Sequence, residues 1–168
     1  MSTPAQAPKK VLILGSGQRI TNAALPAFEA LPELYSVDGV FARKQKQLET
    51  TRGVTNVEPI EKLDNARLAG TDLIFICVSK AAVPKVLEHL GKLDVSGTDL
   101  LIDTPVLLFK HLSHFGKFAP FRTVWVAEDM STLPWLETLD LARKNESLGE
   151  ARSLTLYQSA YAYHGLAL

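Results

Sequence analysis

The chain has 168 residues, 46% of them hydrophobic and 21% charged, which suits one well-cored domain and is too little for two large ones. Eighteen Lys and Arg balance eighteen Asp and Glu, so there is no overall field to hold nucleic acid or an anionic membrane, and any anion site has to be local. The single cysteine, Cys77, excludes an internal disulfide, and the polar opening from Met1 to Pro8 has neither the apolar core of a signal peptide nor any run near the roughly 18 residues of a membrane span. The sequence therefore predicts a cytoplasmic protein with a flexible tail over residues 1–9.

The first element is the apolar run Lys10 to Leu14, the pattern of a parallel strand covered on both faces. It ends in Gly15-Ser16-Gly17. Behind this turn, Ile20, Ala23, Ala24, Ala27, Phe28 and Leu31 recur at helical spacing and define one apolar stripe. Gly15 permits a tight turn, and Gly17 has no side chain to keep a diphosphate away from backbone N–H groups. A Gly-x-Gly pair alone is a weak signal, because strand-to-helix turns also use glycine for steric reasons.

A second strand fits Val37 to Ala42, and a polar helix is expected over Lys44 to Thr51. A third strand fits Val54 to Val57, followed through Pro59 by a helix from Ile60 to Leu68. The fourth strand, Asp72 to Val78, contains Cys77 as a buried thiol and feeds a helix with Val83, Val86, Leu87 and Leu90 on one face. A fifth strand, Asp99 to Ile102, precedes an apolar helix from Val106 to Phe115; a sixth, Thr123 to Val126, precedes a helix from Thr132 to Lys144. Six alternations of strand and helix require crossover connections, and so an α/β fold with a doubly wound parallel sheet. The last stretch, Ala151 to Tyr163, has period two instead, with Tyr157, Tyr161 and Tyr163 on one parity. It reads as a strand without a following helix, either the first strand of a further domain over 149–168 or an association edge for a homodimer or partner chain.

With these residues in view, the chain resembles the N-terminal part of the glucose-fructose oxidoreductase, inositol dehydrogenase and MocA family of NAD(P)-dependent oxidoreductases. The resemblance rests on the Gly-x-Gly turn, on Leu25-Pro26-Ala27-Phe28 and Leu31-Pro32-Glu33-Leu34 in the first helix, and on Asp103-Thr104-Pro105 where the family has Glu-Lys-Pro. It continues in Gly149-Glu150-Ala151-Arg152-Ser153, like the start of the family's substrate domain, and in Tyr163-His164-Gly165. It implies a Rossmann-type domain over 10–148 that binds a nicotinamide dinucleotide, with a sugar, polyol or other small carbonyl or hydroxyl compound as substrate. Such a chain would be incomplete as an enzyme without its substrate domain.

Two departures bear on chemistry. Ile20, with Thr21 after it, stands where the family places a third small residue, so the turn would be longer and would draw on Ser16, Gln18, Arg19 or Thr21 for hydrogen bonds, with Ile20 a further member of the cofactor-binding turn beside the two glycines. Thr104 stands where the family has its catalytic lysine; a threonine hydroxyl can orient a carbonyl but brings no full charge. Lys80, at the end of the fourth strand beside Val78 and Ser79, is where such folds bind ligands and is a candidate for that ammonium. Its plainer reading, and the one favoured by the sequence, is the exposed first turn of the next helix. Asp103 is a candidate for substrate or ribose contact, next to Pro105, although Asp-Thr-Pro ahead of an apolar run favours a helix cap.

At the end of the second strand, Ala42 is followed by Arg43 and Lys44. Absence of a carboxylate there, with a guanidinium fork and an ammonium next to it, points to the 2′-phosphate of NADP rather than to NAD; the plain alternative is the solvated start of a polar helix. His111 and His114 lack a third ligand close in sequence, and no metal site is expected. Glu128-Asp129 reads as well as a helix cap. A non-catalytic binding or assembly protein with this fold is the competing functional class, favoured by Thr104.

Overall fold

The computed structural model describes residues 7–51, 53–128, 134–145 and 149. The chain divides into two units, Met1–Ala127 and Glu128–Leu168. The first contains a seven-stranded sheet: β1 (Lys9–Leu14), β2 (Tyr35–Ala42), β3 (Lys46–Thr50), β4 (Gly53–Pro59), β5 (Leu73–Ile76), β6 (Asp99–Asp103) and β7 (Thr123–Ala127). Their order is β3-β4-β2-β1-β5-β6-β7, parallel throughout except for β3, which runs antiparallel to β4. In the second unit the described helix is Pro134–Lys144. The period-two stretch at 151–163 lies outside the described residues.

Because successive side chains of a strand point to opposite faces, β1 supplies both halves of the core. Leu12 and Leu14 join Phe41, Ile74, Ile76, Leu100 and Ile102 on one face; Val11 and Ile13 join Ile20, Leu25, Val40, Leu48, Val57 and Phe75 on the other. All four β1 residues are fully buried. The central position of β1, between β2 and β5, places the glycine turn over the best-anchored strand in the sheet.

Four sequence expectations are corrected. The polar helix over 44–51 is instead β3, paired residue for residue with β4 from Lys46↔Val57 to Thr50↔Gly53. One residue decides it: Leu48 is buried at 6% exposure among core side chains, and pairing with β4 outweighs the good helix propensity of Lys, Gln and Glu. The expected helix over 60–68 is two pieces, a 3₁₀ turn at Ile60–Lys62 and α2 at Asn65–Leu68. Asp64 separates them, extended and capping α2 by accepting from the Arg67 amide at 2.9 Å. The segment after Pro105 is a 3₁₀ helix at Phe109–Phe118 rather than an α-helix, consistent with the modest helix propensity of its Phe, His and Ser residues and of Gly116. The helix α3, Val83–Leu90, buries Val83, Val86, Leu87 and Leu90 as its spacing predicts.

The fourth correction lies at the glycine turn. Residues Ile20–Ala24 form a π-helical turn that runs on into α1, Leu25–Glu29. The Leu25 amide closes it by donating to the Ile20 carbonyl, and both side chains enter the core with 0% and 1% exposure. Widening to i→i+5 bonding shifts the phase of the apolar stripe: Ala23, Ala27 and Leu31 face solvent while Leu25 takes a core position.

Candidate functional site at the carboxyl ends of the strands

After β1 the chain builds β2 and β4 on one side, and with β5 it crosses to the other, so the sheet changes direction between β1 and β5. In open α/β sheets the crevice outside the carboxyl ends of the strands at such a point is where ligands bind. Most sequence candidates in the first unit converge there. Gly15 has φ of +135°, and a Cβ on it would sit 2.0 Å from the Cys77 carbonyl oxygen. Glycine is needed there so that β1 and β5 can close on each other, joined by the bond from the Cys77 amide to the Leu14 carbonyl at 2.9 Å.

Gly17 is different. A Cβ there would meet nothing within 4 Å, so its missing side chain leaves open space above the turn. Its carbonyl accepts from the amides of Ile20 and Thr21 at 3.0 and 3.2 Å. Among the described residues the amides of Ser16, Gly17 and Gln18 donate to no protein acceptor. Unpaired N–H groups at the start of a helix form an anion-binding nest. Ile20 does not obstruct it, because its side chain turns down into the core.

The second half of the site centres on Asp103, at the end of β6, whose side chain is 13% exposed. Arg19 Nε lies 3.0 Å from Asp103 Oδ1, reaching past the end of β5. Lys80 Nζ lies 3.9 Å from Asp103 Oδ2 and donates to the Thr104 carbonyl oxygen. The Cys77 thiol donates to Asp103 Oδ2 at 3.3 Å. Asp103 is therefore no helix cap: the next helical segment begins at Phe109 with Leu108 before it and no side-chain cap. Lys80 is no exposed first turn either, since α3 begins at Val83 and the Lys80 side chain is only 25% exposed.

The electrostatics follow from this packing. Burial holds the Lys80 ammonium below the ordinary lysine range, opposed in part by the Asp103 charge. Burial, then the charge of Asp103 and its hydrogen bond, push the Cys77 thiol up to about 11, which keeps it protonated and unreactive. Chemically, the cluster offers an ammonium beside the Thr104-Pro105 turn, where the family resemblance places a lysine.

At the end of β2, Ala42 closes the strand half-buried, and Arg43 and Lys44 follow it exposed in the turn to β3, with no partner among the described residues. Their reading as the start of a polar helix falls with that helix. Val78 packs partly against the core, Ser79 is exposed, and Thr104 and Pro105 are half-buried. Sequence reasoning missed Lys46, whose Nζ donates to the Ser16 carbonyl at 2.6 Å; the alternation of polar residues with Leu48 was the signal that could have placed it on a strand. His111 and His114 have ring centroids 6.3 Å apart, and no group of three or more potential ligands able to hold a metal occurs among the described residues. Asp129 and His164 lie outside the described residues. No described helix is long and apolar enough to cross a membrane.

By sequence, the chain matches no protein-family model and no curated protein. By structure it is similar to yvaA of Bacillus subtilis, assigned as an oxidoreductase, with TM-score 0.63 at 13% identity over 89% of this chain and 43% of that one. It is similar also to UDP-N-acetylglucosamine 3-dehydrogenase GnnA of Acidithiobacillus ferrooxidans, with TM-score 0.53 at 15% identity over 82% and 44% of the two chains. A third similar structure is RSP, a Rex-family repressor, in complex with β-NADH, with TM-score 0.51 at 14% identity over 83% and 62%. The chain has the fold of these proteins. It spans less than half the length of yvaA and of GnnA.

Proposed function

We propose that this chain is the NADP(H)-binding domain of an oxidoreductase acting on a sugar, polyol or other small carbonyl or hydroxyl compound. The observation that carries the reading is the nest of unpaired Ser16, Gly17 and Gln18 amides under open space at the switch point of the sheet. These groups fit a diphosphate, and Arg43 and Lys44 beside Ala42 fit a ribose 2′-phosphate. A bound nicotinamide supplies hydride transfer. The chain itself supplies orientation and charge: Lys80 holds an ammonium beside Thr104 that stabilises negative charge developing on a substrate oxygen, and Asp103 holds that ammonium in place. Thr104 orients the same oxygen through its hydroxyl, and Val78, Ser79 and Pro105 line the approach. GnnA acts on a nucleotide sugar by its name, and RSP was solved with NADH; both support the class of ligand without specifying this chain's substrate.

Fluorescence titration with NADPH and NADH tests the reading. We expect micromolar NADPH binding that Arg43→Ala weakens far more than it weakens NADH binding. Equal weakening of both removes the 2′-phosphate argument, and no binding of either removes the function. One observation favours a second reading, a dinucleotide-responsive binding protein without chemistry: Thr104 occupies the lysine position while both nearby cations, Arg19 and Lys80, are engaged by Asp103. NADPH binding with no turnover once a substrate domain is supplied would favour it.

A further inference from the structure

The strand that replaces the expected polar helix brings a cation to the glycine turn. Lys46 opens β3 and its Nζ donates to the carbonyl oxygen of Ser16, 2.6 Å away and 30 positions back along the chain. The strand beneath it is fixed at several points. Leu48 is buried in the same core cluster as Ile20, every β3 residue is in register with β4, and Thr51, just past the strand, donates through its hydroxyl to the Glu29 carboxylate at the end of α1. Lys46 is thus held over the turn from a rigid base.

Its charge is uncompensated. Among the described residues no carboxylate lies within 4.0 Å of Lys46 Nζ, and its partner is a neutral carbonyl. An ammonium has three N–H donors; the Ser16 carbonyl of the glycine turn uses one and leaves two for a further acceptor. A phosphate oxygen would add its own negative charge to a bond that now ends on a neutral carbonyl. Arg43 and Lys44 precede it in the turn from β2, so this segment carries three cations with no acid between Val40 and Leu48.

We propose that Lys46 is a phosphate ligand of the nucleotide site, an ammonium supplied to the glycine turn by the antiparallel edge strand. This rests on the dinucleotide reading above and adds to it the residue that closes the phosphate site from the β3 side. The chemistry recognised is a phosphate oxygen, from either the diphosphate or the ribose 2′-phosphate.

The test is titration of the full chain and of Lys46→Met with NADPH and with NADH, followed by nicotinamide fluorescence, with thermal unfolding of both proteins and Lys110→Met as a control for loss of an exposed lysine. We expect Lys46→Met to lose tenfold or more in NADPH affinity at an unchanged melting temperature, Lys46→Arg to recover part of the loss, and Lys110→Met to bind like wild type. Loss confined to NADPH assigns the ammonium to the 2′-phosphate, and equal loss for both nucleotides assigns it to the diphosphate; either supports the proposal. Unchanged affinity in Lys46→Met, or an equal loss in Lys110→Met, overturns it while leaving the dinucleotide reading intact. A wild-type chain that binds neither nucleotide overturns both.

Discussion

Two glycines two residues apart should fail in opposite ways when a methyl group is added. At Gly15 the new Cβ would lie 2.0 Å from the Cys77 carbonyl oxygen, with φ held at +135°. A non-glycine residue in such a conformation costs roughly 1–3 kcal/mol. Relieving the overlap means parting the ends of β1 and β5 and losing the Cys77 to Leu14 bond, about 1 kcal/mol more. The sum for Gly15→Ala is about 2–4 kcal/mol, a large share of the roughly 5–15 kcal/mol that holds a domain folded, and it lowers the melting temperature by roughly 4–16 °C. At Gly17 the new Cβ meets nothing within 4 Å and φ is not positive. Stability of Gly17→Ala should stay within about 1 kcal/mol of wild type, with a gain from a less flexible unfolded chain. The methyl group stands where a diphosphate would lie, so NADPH affinity should fall at least tenfold, about 1.4 kcal/mol. Urea unfolding and fluorescence titration on both variants separate the two. Wild-type stability in Gly15→Ala, or undiminished nucleotide affinity in Gly17→Ala, refutes the assignment of strand closure to the first glycine and ligand space to the second.

Asp103→Asn should move two neighbours in the same direction, because the Asp103 charge raises both the Cys77 thiol and the Lys80 ammonium. Iodoacetamide labelling of Cys77 should speed up at mildly alkaline pH and acylation of Lys80 should begin at lower pH; unchanged profiles would show that the carboxylate does not govern them. In the native chain, Lys80, held low by burial, should acylate at lower pH than it does in the urea-unfolded chain, and identical profiles would contradict its placement. Asp99 is held below the usual carboxylate range chiefly by its hydrogen bonds from Arg122, at 2.8 and 2.7 Å. Its contribution is therefore present above the unfolded value of roughly 3.9 and is lost as pH falls through the lowered folded value. Arg122→Met should flatten that acid limb in urea midpoints measured between about pH 5 and pH 2, and a limb as steep as wild type would count against the pair.

Strands were legible wherever apolar residues were dense. Val11 to Leu14, Leu73 to Ile76 and Leu100 to Ile102 need burial on both faces, and only a covered parallel sheet provides it. What hid β3 was the reverse: Lys46 to Thr50 has one apolar residue, so its conformation is decided by β4 across the hairpin and by the core beneath Leu48 rather than by its own preferences. The glycine turn was visible as chemistry, but the solution to Ile20 was not, since a π-helical turn is a response to packing on β1 and carries no local pattern. Asp103 misled for a related reason. Asp-Thr-Pro is a good cap in isolation, and only the convergence of β1, β5 and β6 brings Arg19, Cys77 and Lys80 to it.

That convergence makes Asp103 a common counter-ion. Two cations and a thiol draw on a single carboxylate, so removing one of them changes what the others experience, and energies measured for Arg19 and Lys80 separately will not sum to that of the double variant. The crevice behaves as one electrostatic body: an anion that captured the guanidinium would return a share of carboxylate to the ammonium.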